Sequence, residues 1–137
     1  MEQDVTGEIG GVKVRGRIDV IDVTGRIIDA KTSSKEPVGI APNYRFQVAT
    51  YTKLHGHASG SVRLDTVTKT KTIQLVEQSF AIVESDLIQI ERMYPLAQEA
   101  MRSGLYVPNR NSNLCSRKYC PFWEYCEDDY GGVVEEQ

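Results

Sequence analysis

Apolar and polar residues alternate weakly from Val5 to Arg15 about a Gly10-Gly11 pair, the pattern of a β-hairpin leading into a further strand. The next stretch, Gly16 to Lys31, consists of two β-branched apolar segments joined at Thr24-Gly25. Three antiparallel strands are therefore expected between Thr6 and Thr32. Ser33-Ser34-Lys35-Glu36-Pro37 reads as a loop, and Pro42 suits the first turn of a helix on which Tyr44, Val48, Tyr51 and His55 fall at helical spacing. Alternation resumes at Ser61–Thr68, with Val62 and Leu64 set against Arg63 and Asp65. It continues from Thr72, with Ile73 and Leu75 set against Thr72 and Gln74, so two more strands joined through Thr68-Lys69-Thr70-Lys71 are predicted. Ser85 is the expected N-cap of a second helix, with Asp86 in its first turn and Leu87, Ile90, Tyr94, Ala97 and Met101 as its apolar stripe. Pro95 should kink or divide this helix, and Gly104 should cap it. The order of elements is that of an α/β (α+β) domain with a mixed central sheet flanked by helices.

One feature of the pattern is chemically expensive. Asp19 and Asp29 occupy strand positions where apolar residues would be expected, and an unpaired buried carboxylate costs several kcal/mol, so a cationic partner is implied. A two-residue loop at Thr24-Gly25 would put Asp19 opposite Ala30 and point the two acids to opposite faces. A three-residue loop, Val23-Thr24-Gly25 with Gly25 left-handed, pairs Asp19 with Asp29 on one face and is preferred because it gives both acids a common partner. The strand period of two then places Lys31 on the face of Asp29. Two carboxylates around a hard divalent cation, with an ammonium group alongside, can hydrolyse phosphate esters.

Length and charge narrow the setting. A chain of 137 residues suits one domain with a small appendage, and 40% hydrophobic with 26% charged residues is the balance of a globular protein. The net charge of −3 conceals an asymmetry: residues 1–71 hold 11 basic and 8 acidic residues, whereas 72–137 hold 5 and 11. A phosphate-binding face is expected in the first half, from among Lys13, Arg15, Arg17, Lys35, Arg45, Lys53 and Arg63. No window approaches the length of a membrane span and the first residues are acidic, which predicts a cytoplasmic protein. Cys115, Cys120 and Cys126, an odd number gathered near the C-terminus, suggest a metal or cluster site before a disulfide framework. His55 and His57 read as helix-end or loop residues.

Gly16-Arg17-Ile18-Asp19, then Ile28-Asp29-Ala30-Lys31-Thr32, then Gln47 and Tyr51 four apart on the following helix together resemble the PD-(D/E)XK nuclease superfamily, in its RecB-like exonuclease branch. The resemblance implies the restriction-endonuclease-like fold and Mg2+- or Mn2+-dependent hydrolysis of DNA. In that reading Asp19, Asp29 and the Ala30 carbonyl hold the metal. Lys31 orients water or stabilises charge, and Gln47 and Tyr51 position the phosphate. Arg17, Lys35, Arg45 and Lys53 are the DNA contacts expected with it. Single-chain exonucleases of this branch gain processivity from a closed ring or a helicase partner, so a homo-oligomer or a recombination partner is also expected.

The tail from Asn113 to Cys126 resembles the C-terminal iron–sulfur anchor of RecB-like exonucleases of CRISPR-associated and phage type, enzymes tied to DNA repair and recombination. The resemblance implies a nuclease core over 1–104 and a cysteine-rich anchor over 105–137, with Cys115, Cys120 and Cys126 on a 4Fe-4S cluster ahead of zinc. This sequence departs from the pattern in three ways. It has no upstream cysteine, its C-x4-C spacing is wide, and only Met1 to Val5 precede the first strand, where a helix bearing a histidine is usual. A chain lacking its first helix, a non-cysteine fourth ligand and bare thiols all remain open. So does an inactive DNA-binding module that keeps the fold.

Overall fold

The structure is a computed structural model that describes residues 2–56, 61–105, 109, 112 and 114–130. It divides into two compact units, Met1–Glu99 and Ala100–Gln137. His57 and Gly60 lie outside the described residues.

In the first unit, β1 (Gln3–Ile9) and β2 (Val12–Ile18) form an antiparallel hairpin closed at Gly10 and Gly11, both at positive φ. They make a two-stranded sheet of their own rather than the first part of one three-stranded sheet. The chain bends at Asp19 and enters a four-stranded sheet with the order β3-β4-β5-β6. Its strands are β3 (Val20–Ile21), β4 (Ile27–Ser33), β5 (Ser61–Thr68) and β6 (Leu75–Ala81). The pairs β3-β4 and β5-β6 are antiparallel and β4-β5 is parallel, so the sheet is mixed as expected. A parallel pair needs a long crossover, which α1 (Pro42–His55) provides, with Pro42 in its first turn.

Strand β6 differs from the sequence expectation. It starts at Leu75 and not Thr72, and Ile73 and Leu75 are 76% and 59% exposed. The residues facing inward are Val76, Gln78 and Phe80, because Phe80 and Ile82 pack on the core and a period of two fixes the rest of the strand.

Val5, Ile18, Ile27, Val48, Val62 and Leu64 form one core between α1, the hairpin and the four-stranded sheet. A second joins Ile9, Ala49 and Ile90, with the Phe46 and Tyr94 rings in tilted contact, centres 5.6 Å apart, between α1 and α2 (Glu84–Arg102). Helix α2 begins two residues earlier than a Ser85 cap would allow. Val83 takes the cap position, its carbonyl accepting from Asp86 N and its N–H donating to the Asp86 carboxylate at 2.9 Å.

Pro95 neither ends nor divides α2. Lacking an N–H, it leaves the Glu91 carbonyl without its helical donor, and the hairpin turn closes over that spot. Gly10 N donates to Glu91 Oε2 at 2.6 Å, and a Cβ at Gly10 would lie 2.4 Å from the Glu91 carbonyl oxygen and 2.6 Å from Pro95 Cγ.

In the second unit, Gly104 caps α2 as expected. Its N–H donates to the Met101 carbonyl and that of Leu105 to the Ala100 carbonyl, the paired bonds of a Schellman ending. After Cys120-Pro121 a short helix, α3 (Trp123–Tyr130), carries Cys126. Among the described residues no helix is long and apolar enough to cross a membrane.

Candidate active site

The site begins at the turn between β3 and β4. Asp22 Oδ1 accepts hydrogen bonds from Thr24 N (2.9 Å), Thr24 Oγ1 (2.6 Å) and Arg26 N (3.0 Å), while Oδ2 takes Arg26 Nε at 3.0 Å. These bonds, the Thr24 hydroxyl foremost, hold the Asp22 carboxyl far below the usual aspartate range. With Gly25 at φ 82° they close a three-residue loop, and β3 pairs Val20 with Ile28 and Ile21 with Ile27. Continued by one residue, that register sets Asp19 opposite Asp29.

There the ladder stops, because Ile18 belongs to β2 and pairs with Gln3. Ala30 N, which would have bonded to Ile18, donates instead to Asp19 Oδ2 at 2.9 Å. In a strand the N–H and C=O of one residue point to the same side, so the Ala30 carbonyl faces this edge too.

Asp29 is 2% exposed. Its Oδ2 lies 2.5 Å from Lys31 Nζ, a close ion pair without a well-directed hydrogen bond. Burial pushes the Asp29 carboxyl up; the bonding and charge of Lys31 oppose this, and the negative charge of Asp19 reinforces it. Lys31 Nζ also donates to Gln47 Oε1 at 3.0 Å and stands 5.0 Å from the centre of the Tyr44 ring. Gln47 Nε2 then donates to the Tyr51 hydroxyl at 2.9 Å. The helix thus presents Tyr44, Gln47 and Tyr51 on one face toward the strand that bears Asp29 and Lys31. The Tyr51 ring lies against β2 at Gly16, where a Cβ would come within 2.8 Å of Cε1.

The arrangement suits a divalent ion. The donors are hard oxygens, and buried Asp29 Oδ2 has the Lys31 ammonium beside it but no well-directed hydrogen bond, so Asp19, Asp29 and the Ala30 carbonyl fit Mg2+ or Mn2+. Among the described residues no third carboxylate, histidine or cysteine joins them. Cys115, Cys120 and Cys126 are free and half-buried, and they are not gathered into a set that could hold a metal, so the thiols as placed do not fit an iron–sulfur cluster.

The expected DNA contacts fare unequally. Arg45 forms a two-pronged pair with Asp86 at 2.6 and 2.7 Å and also donates to the Ala81 carbonyl. Lys53 pairs with Glu91, and Arg17 with Asp4 and Glu2. Lys35 is exposed and forms no ion pair among the described residues. His55 is the last residue of α1, at the helix end as expected. Two contributors went unassigned in the sequence. Asp22 is signalled by Asp-x-Thr-Gly, a side-chain-stapled turn, and Tyr44 by its spacing of three and seven from Gln47 and Tyr51.

A model of the PD-(D/E)XK nuclease superfamily matches residues 1–127. No curated protein matches the sequence. Among solved structures, a "Putative exonuclease" from Eubacterium rectale is similar at 15% identity and a TM-score of 0.58, with 98% of this chain and 53% of that one covered. SSO0001 is similar at 21% identity and a TM-score of 0.51, covering 92% and 57%. At such identities the likeness is one of fold, and this chain spans little more than half the length of either structure.

Proposed function

The chain belongs to the PD-(D/E)XK nuclease superfamily, and from that premise we propose that it is a metal-dependent deoxyribonuclease of the RecB-like exonuclease type. The observation that carries the reading is the meeting of Asp19 with Asp29 where the β3-β4 ladder ends, beside the chain of contacts from Lys31 through Gln47 to Tyr51. Asp19, Asp29 and the Ala30 carbonyl would hold Mg2+ or Mn2+. When bound, the ion lowers the pKa of a coordinated water and offsets charge on the scissile phosphate. Lys31 is held by a carboxylate on one side and an amide oxygen on the other, so its ammonium group orients the attacking water or stabilises charge developing on phosphorus. Because the Tyr51 hydroxyl accepts from Gln47, its own proton is left to donate to a phosphate oxygen. This assembled set favours turnover over an inactive DNA-binding module.

The test is degradation of end-labelled linear DNA with Mg2+ or Mn2+, with a closed circle of the same sequence alongside. Loss of the linear DNA alone, abolished by EDTA, is the expected result. Cutting of the circle would make the enzyme an endonuclease, and cleavage that persists in EDTA would remove the metal from the proposal.

We assign residues 1–104 to the nuclease core and 105–137 to a cysteine-rich anchor. An iron–sulfur cluster there requires the three thiols to be drawn together and a fourth ligand to be supplied. Protein isolated without oxygen should then be brown and contain iron, and Cys120→Ala should lose both colour and melting temperature. A colourless, iron-free preparation that melts with the variant would leave the thiols bare. A cytoplasmic setting and a ring-forming or helicase partner belong to the same reading.

A further inference from the structure

All 11 basic residues of the first half are described. Seven are engaged with carboxylates: Arg15 and Arg17 with Asp4, Arg26 with Asp22, Lys31 with Asp29, Arg45 with Asp86, Lys53 with Glu91 and Arg63 with Asp65. Among the described residues, Lys13, Lys35, Lys69 and Lys71 form no ion pair, and all four are exposed. Lys13 lies on the hairpin. The other three come together at the C-terminal ends of the parallel strands β4 and β5.

Ser33 is what joins them. It ends β4 two residues beyond Lys31 and pairs with Thr68 at the end of β5. Its carbonyl accepts from Lys69 N at 2.7 Å, and its hydroxyl accepts from Lys35 N at 3.2 Å. The Lys69–Lys71 loop is itself a built object. Thr68 N donates to the Gln74 carbonyl at 2.9 Å, Gln74 N donates to Thr68 Oγ1 at 3.2 Å, and Thr70 Oγ1 donates to the Thr72 carbonyl. Three unpaired ammonium groups are therefore carried on two loops anchored to one residue, at the strand end that follows Asp29 and Lys31.

We propose that Lys35, Lys69 and Lys71 form a contact surface for the sugar–phosphate backbone of the DNA strand running away from the scissile phosphate. The proposal rests on the nuclease reading above and extends it to the substrate beyond the cleavage point. Lysines are compact point charges on flexible stems, without the planar fork by which arginine reads phosphate geometry, so the surface senses charge and not sequence. A chain with a net charge of −3 needs such a local concentration of cations to hold a polyanion.

The test is binding of a labelled single-stranded oligonucleotide by the full chain in EDTA across a salt series. The Lys69→Gln/Lys71→Gln variant should lower the slope of log K against log salt by about 1.4, at about 0.7 for each phosphate of a single strand that is no longer neutralised. Lys35→Gln should remove about 0.7 more, whereas Lys13→Gln, an unpaired lysine on the other sheet, should leave the slope unchanged. Hydrolysis of bis(p-nitrophenyl) phosphate with Mn2+, a diester too small to reach the loops, should proceed equally in wild type and double variant. Equal slopes in wild type and double variant would overturn the proposal, as would an equal loss in Lys13→Gln. A wild type that binds with the expected slopes but hydrolyses neither diester nor DNA would defeat the nuclease reading while leaving the lysine surface in place.

Discussion

Asp29→Asn is expected to reduce DNA cleavage by about 10²- to 10⁴-fold, the range over which single positioned acid–base or charged groups act, without lowering the melting temperature of the metal-free protein. The two halves of this result have one cause. Burial raises the folded-state pKa of Asp29 above its unfolded value, so between those two values the folded protein binds more protons and stability falls as pH rises. At neutral pH the ionised Asp29 is thus a cost to folding that the amide does not incur, and the amide oxygen can still accept from Lys31. Added Mg2+ should raise the melting temperature of the wild type and leave the variant unmoved, by linkage to a site only the carboxylate completes. The acid limb of cleavage should lie above the ordinary aspartate pKa of about 3.9 and move to lower pH as metal is raised, since proton and metal compete for one oxygen set. A variant that cleaves at the wild-type rate would remove Asp29 from the chemistry; one that cleaves nothing because it has unfolded would show that the carboxylate is structural.

The largest stability effect is expected at a residue that touches no substrate. Asp86→Ala should cost about 3 kcal/mol, because it strips the guanidinium of Arg45 of both its carboxylate bonds and leaves Val83 N without its cap. For a unit of this size that is a fall of about 12–24 °C in melting temperature. Asp86→Asn keeps a cap acceptor and should lose less. Hydrogen bonding to Arg45, chiefly, lowers the Asp86 pKa in the folded state. The pair therefore contributes fully above the unfolded aspartate value of about 3.9 and is lost as pH falls through the folded value, so wild type and variant should converge in strong acid. Thermal melts at neutral pH and near pH 2 check both points, and a constant difference between the two would show that the carboxylate charge is not what matters. Since Arg45 also holds the Ala81 carbonyl at the end of β6, the brace fixes α1, and with it Gln47 and Tyr51, to the far edge of the sheet.

How far the site could be read from the sequence depends on how local the cause of each feature is. The loop that sets Asp19 against Asp29 could be inferred because its causes lie within a few residues: Gly25 supplies a left-handed position, and β-branched runs leave few registers. The shared face of Gln47 and Tyr51 follows from helical spacing alone. The fate of the cations could not be inferred. Arg45 and Lys53 sit on the same helix pattern as Gln47, and only partners 41 and 38 residues away, Asp86 and Glu91, remove them from the surface available to phosphate. The register of β6 was obscured for a similar reason. Ile73 and Leu75 carry a convincing local alternation, but the anchor is Phe80, whose contacts come from the rest of the core. Pro95 is the third case, since its local preference to break a helix is met by a turn 85 residues earlier in the chain.

That meeting of Gly10 with Glu91 and Pro95 reaches further than the helix it touches. An isolated two-stranded hairpin is marginally stable at best, and among the described residues β1-β2 is joined to no other strand, so its order depends on the helices it packs against. The tip donates to the Glu91 carboxylate and packs over the carbonyl that Pro95 leaves without a donor, and seven strand residues further on, about 23 Å along β2, the same ribbon delivers Ile18 and then Asp19. The hairpin therefore has its tip seated on α2 and, at its other end, the carboxylate proposed to hold the metal. A glycine with no chemistry of its own thus seats the far end of the ribbon that carries the carboxylate, where any side chain would meet the Glu91 carbonyl and Pro95.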